Sequence, residues 1–130
     1  FLPKTWFQKQ NNQFLLKDWK HDKPLNVPFH MGCFMFFRNT ILQEVGGFDE
    51  HFFMYMEDID LTRRVHRKAK TLFWPAITIV HNHQRASYKN RRLLKIHIQS
   101  AIRYFNKWGW LVDKERTKWN QMVMKEINKQ

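Results

Sequence analysis

The sequence predicts a mixed α/β domain, a few short strands with flanking helices and a helical C-terminal extension. Three observations point there. Met31 to Phe37, Thr71 to Trp74 and Ala76 to Val80 are apolar or β-branched runs of strand length. The segments between and after them carry helix caps, helix stops or 3.6-residue periodicity. Six of the eleven acids (Glu44, Asp49, Glu50, Glu57, Asp58, Asp60) crowd between residues 44 and 60 of an otherwise basic chain.

Residues 1–30 read as an irregular lead-in, with room for one short helix: polar runs alternate with isolated aromatics, and Pro24 and Pro28 punctuate the exit. Met31 to Phe37 is too short for most buried helices and reads as a buried strand. Gly32 within it marks either a bulge or the close approach of a ligand or another strand. Asn39 or Thr40 then caps a short helix, with Gln43 placed as in a capping box. Gly46-Gly47 ends it, because the first glycine can take the left-handed conformation that closes a helix.

Phe48 to Met56 fits neither helical nor strand periodicity and is read as loop. A second helix is expected from about Glu57 to Ala69, with acids in its first turn and bases in its last, as the helix dipole favours. The two strand pieces around Pro75 follow, and the apolar pattern stops at His81-Asn82-His83. Arg91 to Trp108 is amphipathic: Leu94, Ile98, Ala101, Ile102 and Phe105 share one face. Gly109 breaks it, and Asp113 caps a last, mostly polar helix to about Ile127.

The 130 residues amount to one domain or a piece of one. The chain starts at Phe1, so a fragment or processed product is expected. No stretch is long and apolar enough to cross a bilayer, and the start lacks a signal peptide's apolar run. Cys33 is the only cysteine, which excludes an internal disulfide and a cysteine-based zinc site and makes a reducing compartment the default. The net charge of +12 is uneven. Residues 85–130 carry twelve Lys and Arg against three acids, so +9 of it lies there. Such a tail meets anionic lipid, nucleic acid or a phosphorylated substrate, or is plain solvated helix surface. No nucleic-acid motif accompanies the charge.

Glu57 and Asp58 are the first candidates for chemistry. Adjacent carboxylates at a helix start lie at the edge of the fold, where free N–H groups and the dipole favour the ionised form that a general base needs. Both also fit a purely capping role. Asp60 is read as structural, paired with Arg63 or Arg64. His81 and His83 at i, i+2 would point to opposite faces of a strand, so they would not chelate one metal together. One of them could join carboxylates from elsewhere around a hard cation, or contact a phosphate.

Taken in order, Gly32-Cys33-Phe34-Met35-Phe36-Phe37-Arg38, Val45-Gly46-Gly47-Phe48-Asp49-Glu50 and Phe53-Met54-Tyr55-Met56-Glu57-Asp58-Ile59-Asp60-Leu61 resemble family 2 glycosyltransferases, in particular rhamnosyltransferase-like members. Arg64, Phe73-Trp74-Pro75, Ile79-Val80-His81 and Ser87 continue the pattern, which covers roughly residues 27–110. The resemblance implies the C-terminal, acceptor-side part of a GT-A fold: an irregular lead-in (1–30), an acceptor and catalytic part (31–88) and a basic amphipathic helical tail (89–130). It implies inverting transfer from a nucleotide sugar to a glycan or lipid-linked acceptor, in the synthesis of lipopolysaccharide, surface polysaccharide or cell-wall glycan. Asp58 would be the general base and Glu57 its neighbour in positioning. Gly32, Gly47, Phe48 and Tyr55 would contact substrate, and His81 would complete a Mg²⁺ or Mn²⁺ site on the donor diphosphate of the full-length enzyme.

The family's nucleotide-binding half and its Asp-x-Asp motif have no counterpart before Gly32. The chain is therefore expected to be inactive alone and to expose a sheet edge. A cytoplasmic location, peripheral at the inner face of the plasma membrane, is implied by the lipid-linked acceptors. The competing reading is a non-catalytic basic module on anionic membrane or nucleic acid. On the leading reading no nucleic-acid partner is expected.

Overall fold

A computed structural model of the chain describes residues 16, 19–82 and 90–129. In order, its elements are β1 (Leu25–Asn26), α1 (Asn39–Glu44), α2 (Glu57–His66), β2 (Leu72–Phe73), α3 (Arg91–Trp108) and α4 (Lys114–Ile127). His83 and Ser87 lie outside the described residues.

Strand content is smaller than the sequence predicts. β1 and β2 form an antiparallel ribbon with Leu25 opposite Phe73 and Asn26 opposite Leu72. Thr71 extends this pairing. Its carbonyl accepts the Val27 N–H at 2.9 Å, its own N–H donates to Asn26 Oδ1 at 2.8 Å, and its hydroxyl donates to the Val27 carbonyl. The expected buried strand over Met31 to Phe37 is instead a turn and bend followed by irregular chain, with Phe36 90% exposed. Ala76 lies in a turn, and Ile77 to Val80 are irregular, exposed chain without ladder pairing. Neither run meets a partner strand among the described residues, and a strand without a neighbour has no ladder to join. The part of the lead-in that is described contributes β1, too short to leave a periodic signal.

The helices follow the sequence more closely. α3 and α4 span the predicted ranges, and α2 begins at Glu57 but ends at His66, one turn earlier than expected. α1 forms where predicted without the predicted cap: Arg38 is its N-cap, Asn39 is already helical, and no side chain caps it. Its end is the predicted glycine pair. Gly46 and Gly47 have φ of 77° and 67°, and their N–H groups return to the Gln43 and Leu42 carbonyls. Asn90 caps α3 through the Arg92 and Leu93 N–H groups, and Asp113 caps α4 through the Arg116 N–H.

Burial has two centres. Trp19, Leu25, Val27 and Val123 form the apolar cluster, with Phe73 and Ile127 packed against it, so α4 closes over the ribbon. The second centre is α2, which buries Leu61 and Val65 together with polar Asp60, Thr62 and Arg63. Arg63 ties three helices together. Its guanidinium donates to both Asp113 oxygens at 2.6 and 2.8 Å, to Glu115 Oε2 at 2.8 Å, and stacks over the Trp108 ring at 4.2 Å. The Asp113 hydrogen bonds hold Arg63 charged against its burial, and the same bonds lower the Asp113 pKa. The basic tail is thus fastened to α2 rather than trailing from it. Among the described residues no helix is long and apolar enough to cross a membrane.

Candidate active site around Glu57 and Asp58

The approach to α2 is unusual for L-residues. Tyr55 and Met56 are both left-handed (φ 67° and 65°), and Met56 offers the helix no side-chain cap. Such conformations cost about 1–3 kcal/mol each and persist only where surrounding contacts enforce them. Here α3 does so. Ser100 Oγ donates to the Met54 carbonyl at 2.7 Å, Arg103 to the His51 carbonyl at 2.5 Å, and the His97 ring stacks on Tyr55 at 4.5 Å. Lys107 reaches Asp49 at 2.6 Å and holds that carboxyl well below its ordinary range, with His51 assisting.

Asp58 supplies the cap that Met56 lacks. Its Oδ1 accepts the Ile59 N–H and its Oδ2 accepts the N–H of Gly32, each at 2.8 Å. A Cβ on residue 32 would stand 3.0 Å from Asp58 Cβ and 3.2 Å from Oδ2, so only glycine lets the two chains meet this closely. Glu57 beside it is half-buried. Its Oε2 is buried with no hydrogen-bond partner among the described residues. Burial, aided by the charge of Asp58, raises its pKa.

Two residues on, Asp60 is fully buried. Arg64 Nε and Trp108 Nε1 donate to its two oxygens at 2.8 Å, and Lys107 stands 2.8 Å from Oδ1. The same Arg64 donates to the carbonyls of Val45 and Gly47 at 2.5 and 2.7 Å, clamping the end of α1 to α2. This is the structural role read from the sequence, with Arg64 as the partner.

The structure therefore brings Gly32, Glu57 and Asp58 together. Gly47 stands at the end of α1, its carbonyl engaged by Arg64. Phe48 is exposed on the loop, and Tyr55 is half-buried against His97. His81 is exposed on the irregular chain after β2. Among the described residues no group of three or more His, Cys, Asp or Glu side chains converges on a point that could hold a metal ion. The loop supports Ser100, Arg103, Lys107 and Trp108 went unread in the sequence, and no local spacing signals contacts made some 50 residues apart. What converges is a fixed carboxylate beside a half-buried one whose pKa burial raises, a pair suited to accepting a proton from a hydroxyl group.

The chain is 36% identical over 81 residues to rhamnosyltransferase WbbL of Escherichia coli K12, covering 60% of this chain and 30% of that protein. It is 36% identical over 52 residues to N-acetylglucosaminyl-diphospho-decaprenol L-rhamnosyltransferase of Mycobacterium tuberculosis, covering 39% of this chain and 17% of that protein. The chain thus spans less than a third of the length of these curated relatives. No family model and no solved structure matches it. Both relatives are named as rhamnosyltransferases, and the similarity to each is partial.

Proposed function

We propose that this chain forms the acceptor-side part of an inverting, nucleotide-sugar-dependent family 2 glycosyltransferase with a GT-A fold, acting on a bacterial surface polysaccharide, lipopolysaccharide or cell-wall glycan. The observation that carries the reading is the Asp58 carboxylate, held by the Gly32 and Ile59 N–H groups at the mouth of α2. Each Asp58 oxygen keeps a further lone pair for an acceptor hydroxyl. Asp58 takes that proton as the hydroxyl oxygen attacks the anomeric carbon, and the nucleoside diphosphate leaves with the bonding electrons. Glu57 orients the acceptor. The name of the mycobacterial relative supports a sugar linked to a lipid diphosphate as the acceptor class, and with it a peripheral location at the inner face of the plasma membrane. The Mg²⁺ or Mn²⁺ of the full-length enzyme would be held by His81 together with donors from outside the described residues. The isolated chain is proposed to transfer no sugar alone.

The test is Asp58→Asn in the full-length protein. Removing a general base costs about 10²–10⁴-fold in rate, and the variant is expected to stay folded by circular dichroism. Full turnover in a folded Asp58→Asn protein sinks the assignment. The buried, unpartnered Oε2 of Glu57 and its raised pKa favour a second reading in which Glu57 is the base. Glu57→Gln inactive beside Asp58→Asn active would select it.

A further inference from the structure

The outward side of α3 is not used by any contact described above. Its inward side buries Ser100 and Tyr104 and carries the residues that hold the acidic loop. On the other side Leu94, Ile98 and Ile102 stand one turn apart and remain 46%, 52% and 43% exposed. Phe105 continues this stripe, with Trp110 against it at 5.2 Å and itself exposed. Arg91 and Lys95 stand among these residues, and Arg92 and Arg103 lie along the rim. The 18 residues of α3 contain no Asp or Glu. Arg91, Arg92 and Lys95 have no ion-pair partner among the described residues, whereas the acids that face α3 from the loop, α2 and α4 are already engaged by Lys107, Arg63, Arg64 and Arg67.

An apolar stripe surrounded by unpaired cations, with a tryptophan at one end, has the pattern of a helix lying in a lipid–water interface. Apolar side chains enter the acyl boundary, long basic side chains reach up to phosphate, and an indole suits the interfacial layer. The charge selects the partner, because a neutral groove would leave Arg91, Arg92 and Lys95 unmatched, and an anionic headgroup layer matches them.

We propose that the outward face of α3, centred on Ile98 and flanked by Arg91, Arg92 and Lys95, docks on anionic lipid bilayers. The proposal deepens the peripheral location given above and is independent of the transfer chemistry. Docking in this orientation leaves the grip of α3 on the loop before Glu57 and Asp58 untouched, since that grip uses the opposite side of the helix.

Flotation of the 130-residue chain with phosphatidylglycerol-containing vesicles tests it, with phosphatidylcholine vesicles as reference. Binding to the anionic vesicles alone, weakened by salt, is expected. Ile98→Asp with Ile102→Asp should reduce binding at least tenfold while circular dichroism stays unchanged. Neutralising Arg91, Arg92 and Lys95 to Gln should cost about fivefold for each cation. Phe36→Asp, on an exposed apolar residue elsewhere, should leave binding as it was, and so should Asp58→Asn. Equal binding to both vesicle types, an equal loss in Phe36→Asp, or full displacement by a short RNA of equal charge concentration would each overturn the proposal. With transfer assayed in the full-length protein, vesicle binding beside an active Asp58→Asn enzyme would remove the base assignment alone, and absent vesicle binding beside an inactive Asp58→Asn enzyme would remove this proposal alone.

Discussion

Asp58 Oδ2 accepts the backbone N–H of Gly32, 26 residues earlier in the chain, at 2.8 Å. A side chain at the start of α2 is thereby positioned by the turn that opens an irregular, largely exposed segment. Gly32→Ala places a methyl group 3.0 Å from Asp58 Cβ. It is expected to destabilise the chain by about 1–3 kcal/mol, as other overpacking changes do, and to slow transfer in the full-length enzyme by displacing the carboxylate. Urea denaturation and a transfer assay measure the two effects. Unchanged values in both would mean that the contact does not hold Asp58.

Arg63 is expected to be the costliest single position. Arg63→Met leaves the Asp113 carboxylate, 2% exposed, without its partner. Breaking a buried pair from one side costs about 3–5 kcal/mol, while replacing both members with apolar groups can be neutral. Arg63→Met should therefore lower the urea midpoint sharply, and Arg63→Met with Asp113→Leu should recover part of it. No recovery would locate the loss in the cation stacking on Trp108 instead.

Stability should fall with acid in two stages. Burial lowers the pKa of His30 and His66 from 6.5, His30 against a hydrogen bond with the Thr71 backbone. The unfolded chain then binds the proton more tightly, and stability is lost as pH falls below about 6.5. The second stage comes from Asp49 and Asp113, held below their ordinary value of 3.8 by Lys107 and Arg63. Glu115 joins them, because its bonds to Arg67 and Arg63 outweigh its burial. Their contribution is full above the ordinary carboxylate range and lost as pH falls from it toward the lower folded-state values. Glu57 has the opposite sign: its raised pKa gives stability at acid pH that is lost as pH rises. Thermal melts from pH 8 to 3 should show the first stage missing when His30 and His66 are both replaced by Asn.

Gly47→Ala should cost about 1–2 kcal/mol through the backbone alone, since φ is +67° and an added Cβ meets nothing within 4 Å. A thermal shift no larger than that of an exposed Ala substitution elsewhere would count against this.

The helices were legible because each carries its own signals: the glycine pair after α1, the acidic first turn of α2, the apolar face of α3, the Asp113 cap of α4. The strands were not. Met31 to Phe37 and Ala76 to Val80 have strand composition, but ladder pairing needs a neighbour, and neither run has one among the described residues. β1 is short and gains its place only through pairing with Phe73 and Leu72. In the site, Asp60 with Arg64 could be read from i, i+4 spacing. Lys107 with Asp49, 58 residues apart, could not. The resemblance marked Gly32, Glu57 and Asp58 individually. That Gly32 gives its N–H to Asp58 emerges only when the turn at residue 32 folds back onto α2.

Asp60 meets Arg64, Lys107 and Trp108 at once, and through them the end of α1 and the last turn of α3. A genetic screen for loss of function will consequently return Asp60 alongside Asp58, although one collapses the scaffold and the other removes chemistry. Protein abundance separates them. Asp60→Asn should be scarce in cells and rescued by lower growth temperature, whereas Asp58→Asn should accumulate normally and stay inactive at every temperature.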